Sequence, residues 1–359
     1  MTGRFDGLDR VRAGAMLLGV VYHATYAFIP DVGPWFPVQA RATSTVFVAV
    51  AGVIHAVRMP VFFALSGFFA ALVLDKRGAG FLGDRFRRLM VPFFVATPLS
   101  VMADTAIRRL ALREGVMDAR YDVQGDWVLR PLHLWFLEYL FLFCLAAWLL
   151  SKTRLTARLD GLFARAPEVL VAGGLLTFGA QHFVGEPQPA FSFAPQVASL
   201  LAFGPFFALG WALHRARTST DALTRRAWPM VLAALVTCLV VFTRPLQWQP
   251  PGQALAAVAA WLMTLGVMGL ALRPGSRSPG LLVQSAYWVY LVHHPLVQLG
   301  QVLVARREWP VWLSYGAVVL GTFAVSFGSY ALVVRHTPLA GWLGSAPGHQ
   351  RASKVSERT

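Results

Sequence analysis

The chain alternates between long unbroken runs of apolar residues and short clusters of charge. Scanned with a window of about 19 residues, the runs predict ten spanning helices. They fall near 11–29, 59–74, 88–107, 132–151, 167–184, 196–214, 227–243, 253–272, 281–304 and 310–334. The runs show neither the alternation of a half-buried strand nor the one-sided stripe of a surface helix, which points to membrane spans. A shorter apolar stretch, 44–57, is expected to lie at the membrane interface or to tuck into the bundle, with Arg58-Met59-Pro60 opening the second span. The fold class expected is an all-α polytopic membrane protein. Residues 1–335 form its single transmembrane domain, and a polar, basic, disordered tail follows over 336–359. No cleavable leader is expected, because the first apolar block lacks a small-residue cleavage site and is followed by further spans.

Composition agrees with this pattern. Hydrophobic residues make up 56% of the 359 and charged residues 14%, against about 25% charged in ordinary globular proteins. The net charge of +15 raises the prospect of a nucleic-acid partner. That class is excluded, because the basic residues punctuate the apolar blocks and do not gather on one face or in a tail. Their partner is the bilayer. With the N-terminus in the cytoplasm, 22 of the 32 Lys and Arg fall in inside segments and 10 outside, so both termini are expected inside. Nearly all are Arg, with Lys at 76, 152 and 354 only. That bias fits a GC-rich bacterial genome, and the location expected is a bacterial inner membrane. Cys144 and Cys238 both lie in apolar runs, so neither a disulfide framework nor a metal pair is expected.

Ionisable groups inside spans are costly in hydrocarbon, which makes each one a functional candidate. His23 lies eleven residues after Arg12, about 16 Å along the same helical stripe. Ser66, Glu138 and His293 are expected in the outer half of the membrane at a depth close to that of His23, which would build a polar chamber on four spans. Ser66 also reads as a small packing residue, with Gly67 beside it allowing close helix approach. His133 is expected at the water interface, where it needs no role. His293 precedes Pro295 by two residues, so the helix is expected to break there and its ring to satisfy the freed carbonyls. At the cytoplasmic face, Arg85 and Arg88 either set topology or share a face to fork onto phosphate oxygens.

These residues carry a resemblance. Leu8-Asp9-Arg10-Val11-Arg12 followed by His23 resembles the first-helix signature of the acyltransferase family 3 membrane proteins. So do Met59-Pro60 through Ser66-Gly67-Phe68, Arg85-x-x-Arg88, His133-Leu134-Trp135-Phe136-Leu137 and Tyr290-Leu291-Val292-His293. The similarity covers about residues 5–300 and is nearest to the succinyl-transferring branch of glucan biosynthesis protein C. It implies an acyl-CoA-dependent O-acyltransferase that moves a succinyl or acetyl group from cytoplasmic acyl-CoA to a hydroxyl of an extracytoplasmic glycan. Arg12 and His23 fall on the family's essential pair, and Arg85 and Arg88 on its cytoplasmic arginine motif. His294, where the family commonly has an apolar residue, is a departure.

The mechanism expected has Arg12, Arg85 and Arg88 holding the phosphates of the donor substrate, with no tightly bound cofactor and no metal. His23 removes the proton of the attacking hydroxyl. Glu138 orients His23 or stabilises its imidazolium, and Ser66 or His293 donates to the oxyanion. The alternative from another class is a polytopic transporter or flippase for a polar glycan. It too would place charge in mid-membrane, but it would more often show inverted repeats. The sequence leaves the oligomeric state open.

Overall fold

In the computed structural model the described residues are 6–31, 38–118, 130–153, 166–184, 193–215, 220–243, 246, 249–273 and 280–342. Their regular structure is all helical, joined by turns and short irregular segments, with one isolated bridge between Val38 and Met117. In chain order the helices are α1 (Asp6–Thr25), α2 (Val46–Arg77), α3 (Phe81–Arg85) and α4 (Val91–Arg113). Then come α5 (Trp135–Ser151), α6 (Ala166–Gly179), α7 (Val197–Arg215), α8 (Thr220–Thr243), α9 (Pro250–Ala271), α10 (Leu281–Ala305), α11 (Val311–Leu332) and the short α12 (Pro338–Trp342). Each of the ten expected spans coincides with a helix.

Six stretches among the described residues are long and apolar enough to cross a membrane, and the first of them, Val46–Arg113, contains both α2 and α4. Gly78 divides that stretch. Its φ of +50° is one that a side chain would strain, and it ends α2 with its N–H on the Leu74 carbonyl. α1 and α10 are not among the six. Asp9, Arg10 and Arg12 on α1, and His293, His294, Gln298 and Gln301 on α10, make these the polar helices of the bundle.

The structure corrects the reading of 44–57. From Val46 onwards this stretch is not separate from the second span: it is the first half of α2, a helix of 32 residues that passes through Pro60 without a break. Proline is favoured in the first turn of a helix, which is why Pro60 reads as a start. Inside an apolar bundle its lost backbone bond is tolerated. Arg58 therefore sits in mid-helix and not in a loop. α10 likewise runs unbroken through Pro295.

α1 is the hub, packing against α2, α9, α10 and α11. α2 crosses α7 at two glycines. A Cβ at Gly210 would lie 1.7 Å from the Ala64 carbonyl oxygen, and one at Gly67 would lie 1.9 Å from that of Phe207. The close approach expected at Gly67 is thus present. Gly210→Ala is expected to destabilise the protein by about 1–3 kcal/mol through overpacking, although the same change favours an isolated helix by about 1 kcal/mol. Unfolding in detergent measures the sign. Aromatic rings fill the core beside this crossing, with Phe63 stacked on Phe203 at 4.8 Å and edge-on to Phe136 at 4.9 Å. Outward, Phe94, Leu99, Met102 and Leu320 are exposed, as a lipid-facing surface requires.

Residues 119–129, between α4 and α5, and 343–359 of the tail lie outside the described residues. The start of the expected disordered tail is instead helical, at Pro338–Trp342.

Candidate active site

α1 ends at Thr25, and the last turn of any helix leaves carbonyls without intrahelical donors. Side chains from other helices take them. Gln301 of α10 donates Nε2–H to the carbonyls of His23 (2.9 Å) and Ala24 (3.3 Å). Tyr315 of α11 donates its hydroxyl to that of Val21 (3.1 Å). The backbone beneath His23 is thereby clamped to two helices without use of the imidazole.

α10 presents two further rings. His293 is held by Nδ1–H on the Tyr290 carbonyl (2.7 Å). A carbonyl only accepts, so this bond fixes the proton on Nδ1 and leaves Nε2 as the acceptor of the neutral ring. Among the described residues that Nε2 has no partner. Pro295 has no N–H, which frees the carbonyl four residues earlier, that of Leu291. His133, from the turn Leu132–Leu134, donates Nε2–H to it at 3.2 Å, while Tyr290 returns a hydroxyl bond to the His133 carbonyl at 3.0 Å. The freed carbonyl is thus satisfied by His133, not by His293 as expected.

These anchors bring four imidazoles together. His23 lies 5.3 Å from His293 and 5.1 Å from His294 between ring centroids. His133 stacks on His294 at 4.8 Å and meets His293 edge-on at 5.1 Å. His133, His293 and His294 are all buried. Among the described residues no three His, Cys, Asp or Glu side chains are arranged to hold a metal ion.

Arg58 reaches the same place from α2. Its guanidinium lies 5.3 Å from the centre of the Tyr22 ring, and that ring stacks on His55 and hydrogen-bonds Tyr26. Beside it, the bare Cα of Gly19 lets the guanidinium pack close against α1. The position a Cβ of Gly19 would take lies 2.6 Å from Nη1 of Arg58 and 3.4 Å from Nε2 of His293. Helical side chains lean towards the N-terminus, so His23, one turn beyond Gly19, leans towards the Gly19 position.

On the far side of His294, the buried Asp104 of α4 ties this layer to α10. It accepts from Arg108 Nε (2.8 Å) and Gln298 Nε2 (2.6 Å), with Arg130 at 3.9 Å.

The opposite end of the bundle is basic. Asp84 receives Arg77 (3.1 Å), Arg85 (3.0 Å) and Arg88 (3.2 Å), so three guanidinium groups on one carboxylate leave a net positive charge. The backbone there opens into a π-helical turn, Phe86–Met90. Tyr287 of α10 donates its hydroxyl to the Arg88 carbonyl at 2.9 Å. Tyr287 is six residues before His293, about 9 Å along one helix. Arg12 lies at the same end, over the Phe69 ring at 5.4 Å and paired with Asp9 at 3.0 Å.

A family model described as an acyltransferase domain, Acyl_transf_3, matches residues 5–331. The chain belongs to acyltransferase family 3. No curated protein and no solved structure matches it. Family membership and the apolar spans together make it a membrane-bound, multi-pass acyltransferase family protein.

Within this family framework, the structure gathers some of the expected residues and separates others. His23 and His293 are joined, and His294 and His133 complete the cluster. Arg85 and Arg88 share Asp84 at the other end, and Arg12 stands near that level on α1. Ser66 is displaced. It is eight residues beyond Arg58 on α2, about 12 Å towards the arginine end, because α2 begins at Val46 and not at Met59. Glu138 sits half-buried in the first turn of α5, five residues beyond His133, and its Oε2 has no partner among the described residues. Among those residues neither Ser66 nor Glu138 is hydrogen-bonded to the ring cluster. The sequence pattern does not single out Arg58, His133 or Asp104 as part of the site. For Arg58 the available signal is an apolar run on both sides, continuous but for one proline.

Proposed function

We propose that the protein is an O-acyltransferase that draws an acyl group from cytoplasmic acyl-CoA and delivers it to a hydroxyl of a glycan on the other side of the bacterial inner membrane. The observation that carries this reading is the pairing, along α10, of an arginine cluster at one end with a four-imidazole cluster about two turns deeper. The first suits the phosphates of a nucleotide thioester, because guanidinium forks match phosphate oxygens. The second suits proton transfer at the thioester itself. In this reading Arg85, Arg88 and Arg12 hold the donor, the pantetheine arm runs up between α1 and α10, and His23 takes the proton of the attacking hydroxyl. His293 stands beside it as a second acceptor of known tautomer. Glu138 and Ser66 keep supporting roles, through reorientation of α5 or contact with the arm.

The resemblance to the glucan branch makes a succinyl or acetyl group and a glucan acceptor the first to try. The test uses purified protein in sealed vesicles, supplied with acyl-CoA on one side and an oligosaccharide on the other. Release of free CoA thiol together with a mass increase of one acyl group on the sugar supports the proposal. Passage of unmodified sugar across the vesicle without thiol release would instead favour a transporter.

A further inference from the structure

A guanidinium inside an apolar bundle is costly unless an anion or full hydrogen bonding offsets it. Arg58 has neither among the described residues. Its one hydrogen-bond contact is with Met59 Sδ at 3.6 Å, a weak acceptor for a group with five N–H donors. Its neighbours are rings: Tyr22 beneath the guanidinium, Tyr26 and His55 against Tyr22, and His293, which meets it at Gly19. The residue is only partly buried. A cation with spare donors, packed against a glycine and close to a proton acceptor, suits negative charge that arises during reaction and not a resident partner.

We infer that Arg58 is a catalytic residue that stabilises the oxyanion of acyl transfer, and that Gly19 keeps its seat open. This rests on the donor reading given above. The acyl thioester lies over Gly19 with its carbonyl oxygen on the Arg58 guanidinium. The acceptor hydroxyl gives its proton to His23 as its oxygen bonds to the carbonyl carbon, and the carbonyl electron pair moves onto the oxygen held by Arg58. Collapse restores the C=O bond and breaks the C–S bond. The departing thiolate takes the proton back from His23, so the products are the ester and free CoA thiol.

Gly19→Ala isolates this role. The added Cβ meets only the far end of the flexible Arg58 side chain and an ordinary neighbour in His293, so the guanidinium must shift while the backbone need not. Alanine also suits a helix better than glycine. The expected result is a melting temperature equal to or above wild type with kcat lower by about 10²-fold, the effect of displacing a reacting group by about 1 Å. Arg58→Gln is expected to lower kcat by about 10²–10³-fold, with KM changed little, and Arg58→Lys to recover part of the loss. Both variants are assayed with acetyl-CoA and with succinyl-CoA. A loss seen in KM alone, or only for the donor with a free carboxylate, would show that Arg58 anchors a substrate anion and would overturn the assignment. Unchanged kcat, or a fall in kcat that tracks a fall in melting temperature, would overturn it as well. If the wild-type protein turns over neither donor, the donor reading fails and this inference fails with it. Turnover by wild type with Arg58→Gln equally active removes this inference alone.

Discussion

His23→Ala is expected to lower the rate of acyl transfer by about 10²–10⁴-fold, the range supplied by a positioned general base, while leaving the protein folded. The second half of that statement comes from where α1 is held. Gln301 and Tyr315 grip its end through the carbonyls of Val21, His23 and Ala24, and those carbonyls survive removal of the imidazole. The ring also packs against Tyr22, Tyr26, His293 and His294. Its removal costs that packing and the proton transfer, while the carbonyl bonds that hold the end of α1 stay in place. Thiol release from acyl-CoA and thermal unfolding, measured on the same preparation, separate the two. A variant that unfolds would reassign His23 to structure, and one that turns over at the wild-type rate would remove it as the base. His293→Ala makes a useful companion, because its ring does hold a backbone carbonyl, that of Tyr290; a stability loss there does not bear on catalysis.

The second large effect concerns Asp104. Its carboxylate is buried and serves Arg108, Gln298 and, at longer range, Arg130. Removing one partner of a buried ion pair leaves the other charge uncompensated, at a cost of about 3–5 kcal/mol. Asp104→Ala is expected to destabilise the protein by that amount. Asp104→Asn is expected to cost less, because an amide oxygen still accepts from Gln298. Gln298 lies one turn from His294, so loosening this link also frees the far wall of the imidazole cluster, and the alanine variant is expected to lose activity even below its unfolding transition. Equilibrium unfolding in detergent, compared across the three proteins, checks the order. If alanine and asparagine behave alike within about 0.5 kcal/mol, the size of an ordinary surface substitution, the carboxylate does not bind this layer together.

Much of the bundle is readable along the chain. An apolar run of helical length has one outcome in hydrocarbon, where every backbone group must be satisfied within its own segment. The ten runs accordingly form helices at the expected places. The Arg12–His23 spacing and the relation of Arg85 to Arg88 are legible too, because neighbours on one helix follow from its period. Two proline readings fail. Pro60 and Pro295 each signal a break, yet both sit inside continuous helices, as apolar bundles tolerate. At Pro295 the freed carbonyl of Leu291 is taken by His133. Starting α2 at Pro60 also sets Ser66 at the wrong depth and hides Arg58 in a loop.

The sequence alone determined that this chain is a set of membrane-crossing helices bearing basic residues at their ends and a few polar groups within. Periodicity and hydropathy act along one dimension, and those properties lie along it. The tertiary structure decided which helices meet: that the turn at 132–134 brings His133 against α10, that Gly19 faces Arg58 and His293, and that Asp84 gathers three arginines. Contacts between helices depend on rotation about each axis and on small residues that permit close approach. An apolar run long enough to span looks the same whichever way it turns.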